Sequence, residues 1–258
     1  MVKEVKGLVL RTTDVGDSDR MLTIYTDEMG LVSARARHSR SLKSRLMPST
    51  MQFCYSSFVL FEQSDRFTVR DASVIESFYG LRDSIDSLSL GAYMLDVLAE
   101  VGTAEPEPEI LRLALNSLYA ISSTKGDLTK IKAAFEIRIA ALLGYTPDIA
   151  DCHECGEREG DFYLDIMAGA ALCRECYRKS ERNATPLTDS HESHIVYILS
   201  PGARAAMEYC IYAPVQRLFS FNIPDEDMHL FSRATEAYLL NQLERGFKTL
   251  DFYNEVKR

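Results

Sequence analysis

The chain has 258 residues, of which 46% are hydrophobic and 26% charged, a balance typical of a folded globular protein rather than a disordered or fibrous one. Its formal net charge of -9 excludes a surface covered throughout by phosphate-binding lysines and arginines. No apolar run approaches the roughly 20 residues that span a bilayer, and the N-terminus lacks the apolar core of a signal peptide. We therefore expect a cytoplasmic protein with no membrane partner.

The first third of the chain alternates hydrophobic and polar residues with a period of two, the pattern of β-strands. The predicted strands are Val5 to Arg11, Arg20 to Thr26, Leu31 to Arg37, Gln52 to Glu62 and Phe67 to Ile75. Five short strands in so small a segment predict a closed barrel, because closure leaves no exposed sheet edge. We predict a five-stranded OB-fold barrel over residues 1–80.

Charge is distributed unevenly along the chain. Residues 1–80 hold 11 basic and 10 acidic residues, whereas residues 81–258 hold 18 and 28. The segment 33–46 has no acidic residue and contains five basic ones: Arg35, Arg37, Arg40, Lys43 and Arg45. This segment is the strongest local concentration of positive charge in the sequence.

The strand period predicts on which face of the strand the basic side chains lie. Arg35 and Arg37 project to one face of their strand and Ala34 and Ala36 to the other, and the remaining basic residues extend the first face through a serine-rich loop. Such a face suits a phosphate backbone, and a solvated charge run is the alternative. Aromatic side chains add stacking surfaces for bases, although most belong to the core of a small barrel. The candidates are Tyr25, Phe53, Tyr55, Phe58, Phe61 and Phe67.

Beyond residue 81 the hydrophobic residues recur with the period of an α-helix. One stripe runs from Leu90 to Val101, and Pro108 marks the start of a second helix. A third helix is predicted from Leu128 to Gly144, and a long one near Asp227 to Gly246. The pattern predicts an α-helical C-terminal body and an α+β fold class.

Four cysteines have the spacing of a metal site: Cys152, Cys155, Cys173 and Cys176. Two C-x2-C pairs separated by 17 residues are typical of a four-thiolate zinc centre. Four protein ligands leave no open position for a catalytic water, so the zinc is predicted to be structural. A redox dithiol pair or unrelated surface cysteines are the alternatives. His153 is interpreted as a solvated turn residue.

These patterns predict three regions. They are a barrel over residues 1–80, a helical domain over 81–150 and 178–258, and a zinc-binding module over 151–177. Within the module a short hairpin returns the second cysteine pair to the first, and the polar stretch from Arg182 to His194 is predicted to be a loop. Cys54 and Cys210 lie among apolar residues and are predicted core thiols.

No catalytic signature is present. The sequence contains no P-loop, no G-x-S-x-G elbow, no H-E-x-x-H and no dinucleotide-binding G-x-G-x-x-G. Carboxylates are scattered rather than clustered as a metal-dependent nuclease requires. We expect a protein that is not an enzyme.

Three local strings, taken in order with their gaps, resemble the RecO family of recombination mediator proteins over almost the whole chain. They are Lys6–Arg11 continuing into Gly16–Thr26 and Gly30, Phe135–Pro147 running into the first cysteine pair, and Lys248–Phe252. Two departures occur. Thr249 stands where the family has serine, and Arg37-His38-Ser39 lacks the glycine common in that loop.

The resemblance implies an N-terminal OB barrel, a helical body and a zinc-binding insertion. Members bind single- and double-stranded DNA, anneal complementary strands, and work with RecR to load recombinase onto strands covered by single-strand-binding protein. Their helical part recognises the acidic C-terminal tail of that protein, for which Arg138 and Arg204 are candidates here. A nucleoid-associated protein of the bacterial cytoplasm is implied.

The resulting hypothesis is that the five basic residues of the barrel hold DNA while zinc on the four cysteines stiffens the helical body. Two other functions stay open. A zinc-stapled protein-interaction scaffold would direct its basic loop to an acidic partner, and an RNA-binding OB protein would prefer a strand bearing 2′-hydroxyls.

Overall fold

The computed structural model describes residues 1–123, 127–183 and 195–257. Its first five strands are β1 (Val2–Val15), β2 (Asp19–Thr26), β3 (Gly30–Ala36), β4 (Tyr55–Gln63) and β5 (Arg66–Glu76). They close into a barrel in the order β1-β2-β3-β5-β4, with β4 returning to pair with β1. All pairs are antiparallel except β3 with β5. The predicted five-stranded barrel is confirmed.

The barrel core consists of the alternate residues of each strand. Leu22 and Ile24 of β2, and Phe58 and Leu60 of β4, are completely buried. Each such side chain stabilises the fold by roughly 1.5–3 kcal/mol through removal of apolar surface from water. Most of the intervening residues face solvent, but Leu8, Leu10 and Tyr25 are buried outside the barrel core.

The β4–β5 hairpin closes through a two-residue turn. Gln63 pairs with Arg66, and the turn residues Ser64 and Asp65 have φ angles of 50° and 57°. Both therefore lie in the left-handed region, which suits the twist of a hairpin but disfavours residues with a Cβ atom. The turn therefore sets the position of Arg66, which is the first residue of β5.

Because this turn demands two left-handed residues, Ser64→Asn/Asp65→Gly is expected to raise the free energy of unfolding by about 1 kcal/mol. Urea unfolding followed by far-ultraviolet circular dichroism measures the change. Ser64→Ala, which keeps a Cβ atom and gains no preference for positive φ, serves as the control and should destabilise the barrel. A lower stability of the Asn-Gly variant would contradict the strain argument.

Two compact units divide the chain. The first comprises Met1–Gly126 and Phe247–Arg258, and the second comprises Asp127–Gly246. The division into three regions made from the sequence stays a prediction about which parts fold independently.

The first unit adds three helices to the barrel: α1 (Ile85–Val101), α2 (Pro108–Ser123) and, from the C-terminus, α7 (Lys248–Val256). Ser84 caps α1 by accepting the Ser87 N–H at 3.0 Å. Phe247, which precedes α7, packs edge-on against Tyr93 of α1 with ring centroids 5.7 Å apart. The end of the chain is thus anchored on the same unit as its beginning.

A polar network ties three parts of this unit together. Asp96 of α1 accepts hydrogen bonds from Arg11 Nη2 of β1 at 2.7 Å and from Thr249 Oγ1 of α7 at 2.9 Å. Arg11 and Thr249 belong to the first and third strings that carry the family resemblance. Threonine keeps the hydroxyl that serine would supply at this position, so this departure preserves the contact.

The second unit contains the remaining elements. They are α3 (Leu128–Leu142), β6 (Phe162–Asp165), β7 (Ala170–Cys173), α4 (Arg174–Asn183), β8 (Val196–Leu199), α5 (Pro201–Tyr212) and α6 (Asp225–Gln242). Helix α3 packs on α5 and α6, and the small sheet has the order β7-β6-β8. The predicted hairpin between the cysteine pairs is confirmed as β6 and β7. None of the described helices is long and apolar enough to cross a membrane.

The predicted bounds of one helix and one loop need correction, and part of the predicted loop lies outside the described residues. The long helix expected near Asp227 to Gly246 spans Asp225–Gln242, because the backbone turns left-handed at Glu244 with a φ of 48°. Helix α4 extends through Asn183, so the predicted loop from Arg182 begins later than expected. The rest of that predicted loop, residues 184–194, lies outside the described part of the chain.

Candidate nucleic-acid interface and metal centre

Strand β3 and the turn that follows it present Arg35 and Arg37 to solvent, on the face that the predicted strand period indicates. Arg35 and Arg37 are exposed, whereas Ala34 and Ala36 are completely buried. The other three basic residues of the segment, Arg40, Lys43 and Arg45, are exposed on the turns after the strand. Positive side chains therefore lie along one rim of the barrel.

The barrel's own carboxylates neutralise part of this charge. Asp19 of β2 binds Arg35 Nη2 at 2.8 Å, and Asp14 binds Arg40 Nε at 3.3 Å. The His38 N–H donates to Asp19 at 2.8 Å, and this hydrogen bond, assisted by Arg35, holds the pKa of Asp19 below its ordinary value. The Asp19–Arg35 ion pair therefore persists at neutral pH.

Three cations of the segment stay uncompensated within the described residues. Arg37, Lys43 and Arg45 form no ion pair there. The backbone that carries them is held in place, because Ser39 is buried and donates to the Ala36 carbonyl at 3.0 Å. The segment thus offers a fixed set of free cations beside two paired arginines.

The six candidate aromatic residues differ in how far they are exposed to solvent. Tyr25, Phe53 and Phe58 are buried in the core and cannot reach a ligand. Tyr55, Phe61 and Phe67 are partly exposed. The Arg70 guanidinium covers the Phe61 ring at 4.1 Å from the centroid. Phe67 lines a groove.

This groove, which we call the β3–β5 groove, lies where the two strands pair in parallel and has a volume of about 660 Å³. Ala34 of β3 is the register partner of Phe67, which brings Arg35 of β3 and the following Arg37 beside the start of β5. The wall of the β3–β5 groove contains Met21, Arg35, Arg37, Asp65, Arg66 and Phe67. Arg66 is exposed and forms no ion pair with a described residue, yet sequence reasoning missed it because it lies far from the basic segment along the chain.

The four cysteines predicted to bind metal converge. The Sγ atoms of Cys152, Cys155, Cys173 and Cys176 all lie within 4.8 Å of one another. The Cys155 and Cys173 sulfurs are 3.8 Å apart. A tetrahedral ion with metal–sulfur bonds of about 2.3 Å requires sulfur–sulfur distances of about 3.8 Å. The cluster therefore fits a four-coordinate metal ion.

Local structure explains how the two cysteine pairs are presented. The first pair surrounds a turn in which the Gly156 N–H donates to the Cys152 carbonyl at 2.8 Å, with Gly156 at a φ of 74°. In the second pair, Cys173 ends β7 and Cys176 lies in the first turn of α4. Hairpin and helix thus bring sulfurs that are distant in sequence to one point.

The cysteine pKa values reflect the hydrogen bonds that the clustered sulfurs share. Burial disfavours the Cys152 thiolate, but backbone N–H groups of Cys173, Cys155 and Glu154 outweigh it and lower the pKa to about 7. The hydrogen bond with Cys155, followed by burial, raises the pKa of Cys176 to about 12. A metal ion bound by all four sulfurs would stabilise them as thiolates.

Other candidate residues have structural roles. His153 is exposed and its Nδ1 lies 3.3 Å from Asp148, which confirms it as a surface turn residue. Cys54 and Cys210 are buried thiols, as predicted. Arg138 donates to the Ile211 carbonyl at the end of α5, and Arg204 donates to the Ala150 carbonyl at 3.0 Å. Both arginines are thus engaged inside their own unit.

Comparisons with known proteins match this architecture. The family model described as Recombination protein O N terminal matches residues 1–78, and that described as Recombination protein O C terminal matches residues 82–251. The DNA repair protein RecO of Acetivibrio thermocellus is 31% identical over 257 residues, 99% of this chain and 97% of the relative. The DNA repair protein RecO of Bacillus pumilus is 25% identical, and the match covers 100% of this chain and 95% of the relative. The DNA repair protein RecO of Clostridium acetobutylicum is 22% identical, and the match covers 98% of this chain and 97% of the relative.

Proposed function

Since the chain belongs to the RecO family of DNA repair proteins, we propose that it is a recombination mediator that binds single- and double-stranded DNA and anneals complementary strands. Together with RecR it helps load recombinase onto strands coated by single-strand-binding protein, whose C-terminal tail it contacts. This role requires no bond cleavage. It places the protein with the nucleoid of a bacterial cytoplasm.

The observation that carries the proposal is the set of free cations on the barrel. Arg37, Lys43 and Arg45 are exposed and without an ion pair in the described chain, so they are available to phosphate groups. Phosphate neutralisation releases counterions and supplies most of the affinity of sequence-independent DNA binding. Arg35 and Arg40 belong to the same site but contribute less, because a phosphate must compete with Asp19 and Asp14.

Arg37→Ala/Lys43→Ala/Arg45→Ala is expected to weaken binding of a labelled single-stranded oligonucleotide at least about tenfold. Each lost phosphate contact lowers the slope of log affinity against log salt by about 0.7 on single strands, so the slope should fall by about 2. Fluorescence anisotropy across a salt series measures both quantities.

The matched control is Arg35→Ala/Arg40→Ala. Its two arginines lie in the same segment but are already paired, so the slope should change less per residue removed. An unchanged affinity and slope in the triple variant would show that the basic segment does not hold DNA. A ribo-oligonucleotide of the same sequence tests the RNA-binding alternative, and failure to bind either strand would favour a protein-interaction scaffold.

Annealing separates a mediator from a simple DNA-binding protein. The proposed protein should accelerate pairing of complementary strands that single-strand-binding protein already covers, and the triple variant should lose this activity. A fluorescence-quenching assay with dye-labelled strands follows the reaction. Acceleration on bare strands alone would contradict the proposed contact with the coating protein.

We propose zinc as the metal of the cysteine cluster, with a structural role. Thiolate ligands and a closed four-coordinate site favour zinc over hard cations such as magnesium or calcium. When bound, the ion would compensate the charge of the four sulfurs and fix the β6–β7 hairpin against α4. Cys152, Cys155, Cys173 and Cys176 would hold it.

A further inference from the structure

Helices α1 and α7 border an apolar hollow on the first unit. Ile85, Leu88 and Ala92 share one face of α1 at positions i, i+3 and i+7, and Thr249 and Phe252 of α7 line the same hollow. Its volume is about 280 Å³. Ile85, Leu88 and Phe252 are exposed to solvent. Large apolar side chains that are exposed together, rather than scattered singly, mark a surface that binds a partner.

The barrel holds the floor of this hollow in place. Phe53 is buried with a φ of 71°, and its N–H donates to the Val9 carbonyl at 3.1 Å. Gln52 Nε2 donates to the Leu10 carbonyl at 3.0 Å. A Cβ atom at Gly91 of α1 would lie only 3.1 Å from the Phe53 ring, so glycine lets the ring pack closely against the helix. A surface that is fixed before binding loses little conformational freedom when a partner docks.

The same floor borders a second hollow, of about 230 Å³, that carries positive charge. The wall of this second hollow contains Arg20 and Arg82. Arg82 is exposed and forms no ion pair with a described residue. Arg20 Nε lies 3.6 Å from Asp14, a carboxylate that also binds Arg40, and Arg20 Nη1 is buried with no hydrogen-bond partner in the described chain. No described residue that lines either hollow is acidic, so both arginines have unused capacity to bind carboxylates.

The two hollows together form one surface, which we call the α1–α7 groove, with an apolar half and a cationic half. An acidic protein segment that carries a large apolar side chain matches both halves. Its carboxylates suit the planar fork of an arginine, and its apolar side chain removes exposed apolar surface from water. An apolar cavity of about 150 Å³ holds a benzene ring, so the apolar half has room for one large side chain.

Nucleic acid matches this groove less well than protein does. Single strands are bound by aromatic side chains that stack on successive bases and by a row of cations that follows the backbone. The exposed apolar residues contributed by α1, Ile85 and Leu88, are aliphatic, and the groove has two cations. A mixture of apolar side chains and arginine is instead the composition of a protein–protein interface.

We propose that the α1–α7 groove docks an acidic segment of a protein partner, with an apolar side chain of the partner between Leu88 and Phe252 and its carboxylates on Arg20 and Arg82. The inference goes beyond the proposed binding of DNA and does not depend on it. The groove includes none of the three free cations of the basic segment and none of the four cysteines. Partner docking and DNA binding thus use different residues.

A fluorescein-labelled peptide in which leucine and phenylalanine are flanked by glutamates, blocked at both ends, tests the groove on the full chain. Fluorescence anisotropy should show saturable binding to the wild-type protein. Arg82→Gln and Phe252→Ser should each weaken binding at least about fivefold, as truncation of an important interface residue does. Arg112→Gln and Tyr119→Ser are the matched controls, because both residues are exposed on α2 and line neither hollow. They should leave the affinity within about twofold.

Two further measurements locate the peptide. Replacing its glutamates with glutamines should weaken binding to the wild-type protein, and Arg82→Gln should then add little further loss, since both changes remove the same contact. A benzoyl-phenylalanine in place of the phenylalanine should crosslink to residues 85–92 or 249–252 of the wild-type protein, which mass spectrometry identifies. The crosslink does not depend on how well any variant folds.

Absence of saturable binding to the wild-type protein, crosslinks confined to the second unit, or equal losses in the two control variants would overturn the docking groove. The same variants test nucleic acid as the occupant. Arg82→Gln and Phe252→Ser should bind a single-stranded oligonucleotide within about twofold of wild type, and a loss as large as that on the peptide would assign the groove to DNA instead. An unchanged DNA affinity in Arg37→Ala/Lys43→Ala/Arg45→Ala would count against the proposed function and leave the groove standing.

Discussion

Cys173→Ser is expected to unfold the β6–β7 hairpin and α4 while the barrel stays folded. The two hairpin strands have four residues each, and only Phe162, Leu164 and Ala171 among their side chains are completely buried. Structural zinc contributes about 10–16 kcal/mol of folding free energy in isolated zinc-finger peptides. Loss of one of four thiolates removes much of that contribution from this small module.

Hydrogen exchange measured by mass spectrometry locates the effect. Amides of residues 148–177 should lose protection in Cys173→Ser, whereas those of β1 to β5 should keep it. The amount of zinc released on thiol modification should be one equivalent per chain in the wild-type protein and less in Cys173→Ser. Chelation of the wild-type protein should reproduce the exchange pattern of the variant.

Cys210→Ala is the matched control for the metal prediction. Cys210 is a buried thiol of the same unit, lies on α5 and takes no part in the cluster. Its removal should leave metal content unchanged and cost about 1 kcal/mol through lost packing. If Cys173→Ser kept a full equivalent of metal and wild-type protection, the four sulfurs would not be the metal site.

The barrel and the metal cluster were predictable from sequence because their signals are local. A period of two places Ala34 and Ala36 in the core and Arg35 on the surface wherever the strand lies in the sheet. Likewise, a spacing of two residues between two cysteines allows both thiolates to bind the same metal ion. In both cases residues close in sequence carry the signal that sequence analysis reads.

The charge balance of the basic segment was not predictable, because it depends on strand register. Asp19 reaches Arg35 only because β2 and β3 pair so that Met21 is opposite Arg35. The β3–β5 groove depends in the same way on the parallel closure of the barrel, which brings Arg66 to β3. Amino-acid order alone does not give either alignment.

Three helices were missed, for different reasons. Helix α5 carried a readable signal, since Ser200 caps it by accepting the Ala203 N–H at 3.1 Å and Pro201 follows as its first residue. Helix α4 is strongly polar, and α7 has only nine residues. Helices so short are marginal alone and depend on tertiary contacts such as those of Leu250 and Tyr253, which are buried in the first unit.

Lys132→Met is expected to destabilise the second unit by about 3–5 kcal/mol, a loss typical of breaking a buried ion pair. Lys132 of α3 is 1% exposed, and its Nζ lies 2.8 Å from Glu136 and 2.7 Å from Glu236 of α6. Glu136 is completely buried and also accepts a hydrogen bond from Thr235 at 3.1 Å. Methionine fills the space of the lysine stem but removes the Lys132 ammonium from the Glu136 carboxylate.

The pH dependence of this cluster has a defined sign. Burial lowers the pKa of Lys132, but Glu136 and Glu236 outweigh burial and raise it above its ordinary value of 10.5. A cation whose pKa is raised by folding contributes its full stability below the unfolded value and loses it as pH rises through the folded one. The contribution of Lys132 is therefore constant across neutral pH and is lost only in strongly alkaline solution.

A double variant distinguishes an uncompensated charge from lost packing. Lys132→Met/Glu136→Met removes both charges, so it should recover most of the stability lost in Lys132→Met, because an apolar pair of similar volume avoids the cost of burying ions. Lys130→Met, two residues earlier on α3, is the control. It removes the hydrogen bond from Lys130 Nζ to the Phe221 carbonyl at 2.9 Å and should cost only about 1–2 kcal/mol. If the double variant proved less stable than Lys132→Met, the ionic cluster itself would be what joins α3 to α6.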